Sequence, residues 1–193
     1  MQPPRLILAS DSPRRRALLA QAGYAFEAVS PQVDETVPPG ATPEQTALDL
    51  ARRKARAVAA KRQAGVVLGA DTVVALDGAT LGKPAGRADA IAMLGRLAGS
   101  RHAVLTGVCV LDAATGREQA ECVRTWVTMK PMSLDQITAY VDSGEAYGKA
   151  GAYAIQETAD RYVQRVEGSF SNVVGLPLER TAEILAAFGV RPS

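Results

Sequence analysis

The sequence of 193 residues is poor in the residue types on which several kinds of protein chemistry depend. It contains one histidine, two cysteines and one tryptophan. Cys109 and Cys122 are too few for a disulfide framework and are not spaced as a metal motif, which favours free thiols in a cytoplasmic protein. Because His102 is the only histidine and has no recognisable motif partner, neither a zinc cluster nor a Ser-His-Asp triad is expected. His102 is interpreted as structural or exposed, and Trp126 is expected in the core.

An excess of one charge and long apolar runs are also missing. The 22 basic and 20 acidic residues give a net charge of +2, so neither nucleic acid nor a membrane surface is expected as a partner and any basic site must be local. No apolar run approaches the ~20 residues of a membrane span, and the N-terminus has only a short apolar run, so no signal peptide is expected. The 47% of hydrophobic residues indicate a globular chain, taken as one domain over residues 1–193.

Helix and strand patterns alternate along the chain, and hairpins join some of the strands. Ser12 is placed to cap a helix after a short apolar strand, and Thr42 with Gln45 predicts a capping box. The pattern VVLGADTVVAL over 66–76 predicts a strand that enters a hairpin at Asp77-Gly78. We expect an α/β fold with a mixed sheet. Further strands are predicted at 79–81, 102–111, 121–129 and 162–166, further helices at 87–98, 133–143 and 178–188, a loop with a short strand at 144–156, and a loop at 168–177.

Three consecutive arginines, Arg14 to Arg16, stand at the start of the first predicted helix. The positive end of a helix dipole disfavours cations there, whereas the free N–H groups favour anions. Together with the hydroxyls of Ser10 and Ser12, the guanidinium groups would converge on a polyanion, which predicts a phosphate site. The alternative is a solvated basic face, and at least one arginine must point into solvent because consecutive helical residues face different ways.

Lys54 and Asp71 both interrupt apolar patterns. Lys54 lies four residues from both Leu50 and Val58 on the apolar stripe of its helix; it either extends from the edge of the stripe to water or belongs to a site. Asp71 lies in the middle of an apolar strand, where an ionised carboxylate is costly unless it is paired or metal-bound; the alternative is a sheet edge facing water. Such carboxylates and cations suit metal-assisted hydrolysis of a phosphoanhydride, or a protein that only binds nucleotides.

The chain resembles the Maf-like family of nucleoside triphosphate pyrophosphatases from Leu6 to about Phe188. The resemblance implies a single-domain α/β fold with an elongated mixed sheet, flanking helices and a central cleft, similar to the inosine triphosphate pyrophosphatases. It also implies hydrolysis of a nucleoside triphosphate to the monophosphate and pyrophosphate with Mg²⁺ or Mn²⁺. The motifs that carry it, in family order and spacing, are LILASDSPRRRALL, VDET, ARRKA, LGADTVV, LGKP, GKAGAYAIQ and GSFSNVVGLP.

The resemblance also implies roles for individual residues. Asp71 would be the proton acceptor and would bind the metal and the water together with Glu35. The phosphates would be held by Ser10, Arg14, Arg15, Lys54 and Lys83, of which the two lysines are counted with the catalytic residues.

Three positions select the base in this family, and here they are Arg14, Thr72 and Gln156. They match the branch that acts on dTTP and UTP, whereas the 7-methyl-GTP branch has Trp, Gln and Glu. A glutamine amide can accept from N3–H of the pyrimidine and donate to O4. Glu157 departs from the glycine that is common after this glutamine, which places a charge near the base.

Two other functions stay open at this point. One is a regulatory nucleotide-binding protein that acts in cell division, and the other is a pyrophosphatase of the 7-methyl-GTP branch. The sequence is also compatible with a homodimer.

Overall fold

The structure, a computed structural model, describes residues 4–155 and 161–192 and contains one mixed β-sheet. The strand order is β2-β1-β3-β5-β6-β7, and β4 pairs with β3. Strand β1 is parallel to both β2 and β3, and the remaining pairs are antiparallel. The strands are β1 (Leu6–Ala9), β2 (Phe26–Val29), β3 (Val66–Leu76), β4 (Ala79–Leu81), β5 (Arg101–Asp112), β6 (Glu118–Met129) and β7 (Val163–Glu167).

Helices cover both faces of this sheet, so the predicted α/β class with a mixed sheet is confirmed. The Ser12 cap is present, and so are the capping boxes of Thr42 with Gln45 and of Ser133 with Gln136. Helix α2 packs on one face of β1, β3 and β5, and α1 and α6 pack on the other. The helices are α1 (Pro13–Gln21), α2 (Pro43–Ala59), α3 (Arg87–Leu97), α4 (Leu134–Asp142), α5 (Phe170–Val174) and α6 (Leu178–Ala187).

Two segments differ from the prediction because they contain single turns of helix. Within the described residues 144–155 there is no strand, and Ala150–Ala152 form a 3₁₀ turn instead. The predicted loop at 168–177 contains α5, whose first turn is capped by Ser169. The flanking glycines, Gly168 and Gly175, have positive φ angles. Those glycines led to the prediction of a loop, since five residues are too few to show helical periodicity.

Two glycines allow α2 to lie directly on the sheet. A Cβ atom at residue 69 would come within 2.4 Å of the carbonyl oxygen of Ala51, and one at residue 107 within 2.2 Å of that of Ala47. Gly107 pairs with Asp71 across β3 and β5. Gly69 and Asp71 share a face of β3 because side chains alternate along a strand. The missing side chains therefore bring α2, and with it Lys54, down onto Asp71.

The central strand β3 has an open edge where the site lies. Strand β1 pairs with residues 66–69 of β3, and β4 pairs with residues 74–76 on the same side. Residues 70–73 have no strand neighbour on that side within the described part of the chain. Strand β1 also lies between β2 and β3, so the order of the strands reverses its direction across the sheet at β1. Open α/β sheets bind ligands at such a reversal.

The expectations for the rare residues have mixed outcomes. Cys109 and Cys122 are free thiols, as predicted. Trp126, expected in the core, lies half-buried at its edge, with the guanidinium carbon of Arg101 4.2 Å from its ring centroid. The ring packs against an apolar core cluster, and the guanidinium groups of Arg101 and Arg124 lie over it. His102, expected to be structural or exposed, is fully buried, and its Nε2 atom lies 2.6 Å from the hydroxyl of Tyr153.

The burial of His102 predicts that the protein loses stability in mild acid. Burial lowers the pKa of His102 from its usual 6.5 to about 4, so between these pH values the unfolded chain binds a proton that the folded chain does not. Stability is therefore complete above pH 6.5 and falls as the pH is lowered toward 4. Between pH 7.5 and pH 5 the expected loss from this group is roughly 2 kcal/mol.

Urea unfolding at both pH values, for the wild type and for His102→Gln, measures this loss. The variant should show a smaller change in unfolding free energy between the two pH values, whatever its absolute stability. The same change in both proteins would contradict the assignment to His102.

Candidate active site

A cleft of about 420 Å³ opens at the unpaired edge of β3. Its wall combines charged and apolar side chains from the β1–α1 turn, β3, β5 and the segments around 150 and 174. Gln156 lies outside the described residues. The other predicted site residues all line this one cleft: Ser10, Arg14, Arg15, Glu35, Lys54, Asp71, Thr72 and Lys83.

Lys54 joins the two predicted carboxylates. Its Nζ atom lies 2.5 Å from Oδ1 of Asp71 and 2.6 Å from Oε1 of Glu35. Lys54 is only 6% exposed, so the alternative of a lysine that extends to water is wrong. Asp71 is 9% exposed and hydrogen-bonded to Lys54 at the open edge of β3, so the alternative of an aspartate that faces water is wrong as well. The two carboxylates offset the free-energy cost of burying the ammonium group of Lys54.

Glu35 is held in its ionised form. Partial burial raises the pKa of this carboxyl group, but the hydrogen bond and charge of Lys54 and the nearby charge of Lys83 outweigh it, so that the pKa lies below its usual value. The Nζ atom of Lys83 lies 3.2 Å from Oε2 of Glu35. Glu35 is therefore a carboxylate at neutral pH, with one lysine on each oxygen atom.

The three arginines have three different environments. Arg16 is exposed and donates to the carbonyl of Asp11 (3.0 Å), which confirms that at least one of them points outward. Arg14 is half-buried at the cleft wall. Arg15 is buried, donates from Nε to the carbonyl of Gly175 (2.8 Å) and from Nη2 to Oγ1 of Thr72 (3.0 Å). Burial lowers the pKa of Arg15, and the charge of Asp71 opposes that shift.

Hydrogen bonds within the protein occupy two of the three nitrogen atoms of the Arg15 guanidinium group. Its Nη1 atom has no hydrogen-bond partner among the described residues. Arg15 therefore braces the cleft wall with two nitrogen atoms, and Nη1 remains available to a phosphate.

Reasoning from the sequence missed a buried polar network behind the cleft. Oγ1 of Thr72 lies 2.9 Å from Oγ1 of Thr106, which donates to the carbonyl of Asn172 (3.2 Å). The amide of Asn172, which is fully buried, donates to Oγ1 of Thr125 (3.0 Å). Asn172 belongs to the motif GSFSNVVGLP and Thr72 to LGADTVV, so two of the family motifs contribute to this network. Lys149, from GKAGAY, also lines the cleft and was given no role.

The donor set fits a divalent cation that is bound mainly through a substrate. The described residues contain no cluster of three or more His, Cys, Asp or Glu side chains suited to a metal. Asp71 and Glu35, however, already converge on one cation, the ammonium of Lys54. Mg²⁺ is commonly held by one or two carboxylates, with phosphate oxygens and water as its other ligands.

The fold and the site together define an α/β protein whose cleft suits a polyanion held beside two carboxylates. This combination is typical of nucleotide-processing hydrolases. The chain belongs to the family of Maf-like proteins, whose model matches residues 5–188. The family resemblance of the sequence is thereby confirmed. In the described ranges, no helix combines the length and apolarity that crossing a membrane requires.

Similar proteins from several bacteria share one name, dTTP/UTP pyrophosphatase. A protein of Pelotomaculum thermopropionicum named dTTP/UTP pyrophosphatase is 49% identical over 184 residues, which are 95% of this chain and 96% of that protein. Proteins of the same name from Symbiobacterium thermophilum (48% identity, 96% of this chain and 94% of that protein) and Anaeromyxobacter dehalogenans (50%, 96% and 95%) are also similar. The likeness therefore extends over nearly the full length of each pair.

Proposed function

We propose that this chain is a nucleoside triphosphate pyrophosphatase that converts dTTP and UTP to the monophosphate and pyrophosphate. The observation that carries this proposal is the buried lysine that joins Asp71 and Glu35 in a cleft lined by arginines and Ser10. The shared name of the similar proteins supports the substrates. Modified pyrimidine triphosphates belong to the same substrate class.

Asp71 acts as the proton acceptor in this proposal. Its Oδ1 atom is bonded to Lys54, whereas Oδ2 has no hydrogen-bond partner among the described residues. A water molecule at Oδ2 gives its proton to the carboxylate as its oxygen atom attacks the α–β anhydride. The bridging P–O bond breaks and pyrophosphate leaves.

The cations of the cleft stabilise the charge that develops on the phosphate chain. Arg14 and Lys83 line the cleft with exposed or half-exposed side chains, and Nη1 of Arg15 and the hydroxyl of Ser10 complete the set. Fixed positive groups aimed at developing negative charge commonly supply the largest part of catalysis in phosphoryl transfer.

Glu35 and Asp71 are the residues that would hold Mg²⁺ or Mn²⁺. When bound, the metal neutralises phosphate charge and polarises the anhydride. Lys54 holds the two carboxylates close together before substrate arrives, so the pair does not have to assemble during binding.

A nucleotide panel with Mg²⁺ or Mn²⁺ tests the proposal. Turnover of dTTP and UTP should yield pyrophosphate in an amount equal to the monophosphate. Release of inorganic phosphate would contradict the bond assignment, and tight binding without turnover would favour the regulatory nucleotide-binding protein. Preference for 7-methyl-GTP would favour the other branch of the family. A cytoplasmic location and a homodimer stay predictions.

Gln156 provides a separate prediction about base selection. In Gln156→Glu, an ionised carboxylate offers acceptors only, so O4 of the pyrimidine loses its donor. A buried acceptor without a partner costs roughly 1–3 kcal/mol. We expect kcat/KM for dTTP and UTP to fall about tenfold to a hundredfold, and the values for GTP and 7-methyl-GTP to fall less.

The neighbouring change Glu157→Gln is the control, since it also alters one charge in the same segment. If the amide of Gln156 selects the base, the pyrimidine-to-purine ratio should change far less in Glu157→Gln than in Gln156→Glu; an equal change would show that charge near the base sets the preference. Equal losses for all four nucleotides in Gln156→Glu would mean that Gln156 only braces its segment.

A further inference from the structure

Glu35 lies in a long segment that has little structure of its own. Residues 31–41 join β2 to α2 and contain no helix or strand. Gln32 in this segment has a φ angle of +42°, which an L-residue with a side chain seldom adopts. Glu35 must nevertheless place its carboxylate on the ammonium groups of Lys54 and Lys83. Something outside the segment has to fix the backbone on either side of Glu35.

Local bonds shape the segment without attaching it to the rest of the protein. Oδ1 of Asp34 accepts from the backbone N–H of Thr36 (2.8 Å) and from its hydroxyl (2.6 Å). This turn bends the chain at Glu35, but both partners belong to the segment. Between residues 37–41 and α2 lies a groove of about 580 Å³, so close packing does not hold the segment there either.

Arg53 supplies the attachment. Its Nη1 atom donates to the carbonyl of Thr36 (2.7 Å) and to that of Asp34 (3.3 Å), one on each side of Glu35. In the described part of the chain, these are the only hydrogen bonds between the backbone of residues 31–41 and another element. Nη2 of Arg53 is paired with Asp49, one turn earlier on α2.

Arg53 and Lys54 are consecutive on α2 and therefore point in different directions. Lys54 reaches the carboxylate of Glu35, and Arg53 reaches the backbone that carries it. Consecutive residues of α2 thus hold the side chain of Glu35 and the backbone on either side of it. Arg53 is not among the residues that line the cleft, so its contribution does not require contact with substrate.

We propose that Arg53 is a positioning residue that anchors the 31–41 segment and holds the Glu35 carboxylate in its place at the cleft. This inference rests on the proposed function, because it assumes that Glu35 takes part in turnover. The plain alternative is that Arg53 and Asp49 form an ordinary surface ion pair, which contributes little to stability and has no link to activity.

The variant Arg53→Ala tests the anchor, with Arg56→Ala as the matched control. Arg56 lies on the same helix and also loses an ion pair when truncated, with Glu118, but its hydrogen bonds do not involve the segment. Displacing a catalytic group by about 1 Å can cost up to a hundredfold in rate, so kcat for dTTP should fall about tenfold to a hundredfold in Arg53→Ala. It should stay within about twofold of wild type in Arg56→Ala.

A double-mutant cycle with Glu35→Ala separates positioning from general destabilisation. If Arg53 acts through Glu35, Arg53→Ala should cost less than about twofold once Glu35 is already alanine. An equal loss in both backgrounds would overturn the proposal. Arg53→Lys keeps the charge but lacks the planar fork, so it should restore part of the rate. No loss of rate in a folded Arg53→Ala protein would also overturn the proposal.

Amide hydrogen exchange of peptides covering 31–41 gives a readout that does not depend on turnover. Faster exchange there in Arg53→Ala, with no change in Arg56→Ala, would support the anchor, and unchanged exchange would overturn it. If Glu35→Ala itself kept wild-type turnover, the catalytic role of Glu35 in the proposed function would fail, and the exchange result would decide the anchor alone.

Discussion

Replacing Asp71 with asparagine is expected to lower kcat by about 10²–10⁴-fold while the protein stays folded. Asparagine has nearly the same shape, so the packing of β3 and α2 should be kept. The amide, however, cannot accept a proton from water and carries no charge for a metal. The measurement is kcat for dTTP at saturating metal, with thermal unfolding to show that the variant is folded.

Asp77→Asn is the matched control for Asp71→Asn. Asp77 is an exposed aspartate just beyond the end of β3, in the hairpin turn, with a φ angle of +51°. Asparagine tolerates this left-handed conformation well, so the control should keep full activity and stability. If Asp71→Asn retained most of its kcat, Asp71 would not be the proton acceptor.

Lys54→Met is expected to produce the second large effect, a loss of about a hundredfold in kcat/KM that is equal for all nucleotides. Methionine fills much of the same space on the apolar stripe of α2 but removes the ammonium group. Asp71 and Glu35 are then left as a close pair of carboxylates without the cation that joins them, and one of them will resist ionisation. Because phosphate carries no information about the base, the dTTP-to-GTP ratio of kcat/KM should not change.

Lys61→Met tests whether any lysine lost near this helix has the same effect. Lys61 follows the end of α2 and is exposed, so its removal should leave turnover unchanged. A shift in the dTTP-to-GTP ratio in Lys54→Met would show that Lys54 contributes to base selection, contrary to its assignment to phosphate.

The interpretation of the arginine cluster shows how far sequence rules reach. The prediction of an anion site at Arg14 to Arg16 rested on the unfavourable position of cations at a helix start, and two of the three arginines do line the cleft. The rule for charges at helix ends could not reveal that Arg15 donates a hydrogen bond to the carbonyl of Gly175, a residue 160 positions away. A carbonyl group at the end of α5 carries no mark in the sequence that identifies its partner.

Arg53 illustrates the same difference at a position that the sequence did not single out. In ARRKA it is one of two arginines beside Lys54, and nothing in the motif separates them. Arg52 pairs with Glu118 on β6, whereas Arg53 reaches the backbone beside Glu35. Their roles differ because consecutive helical side chains point about 100° apart, toward different neighbours that only the packed structure supplies.

The amino-acid sequence determined most of the elements, their caps and eight of the residues that meet in the cleft. Capping boxes, apolar periodicity and glycines act over a few residues, so they can be read directly along the chain. Only the tertiary structure decided which charges pair, that Lys54 is buried between Asp71 and Glu35, and that Trp126 lies at the edge of the core under arginines. Those outcomes depend on the close contact of α2 with the sheet at Gly69 and Gly107 and on bonds between residues far apart in the chain. Burial and partnership are properties of the assembled fold, and the free energy of each charged group depends on both.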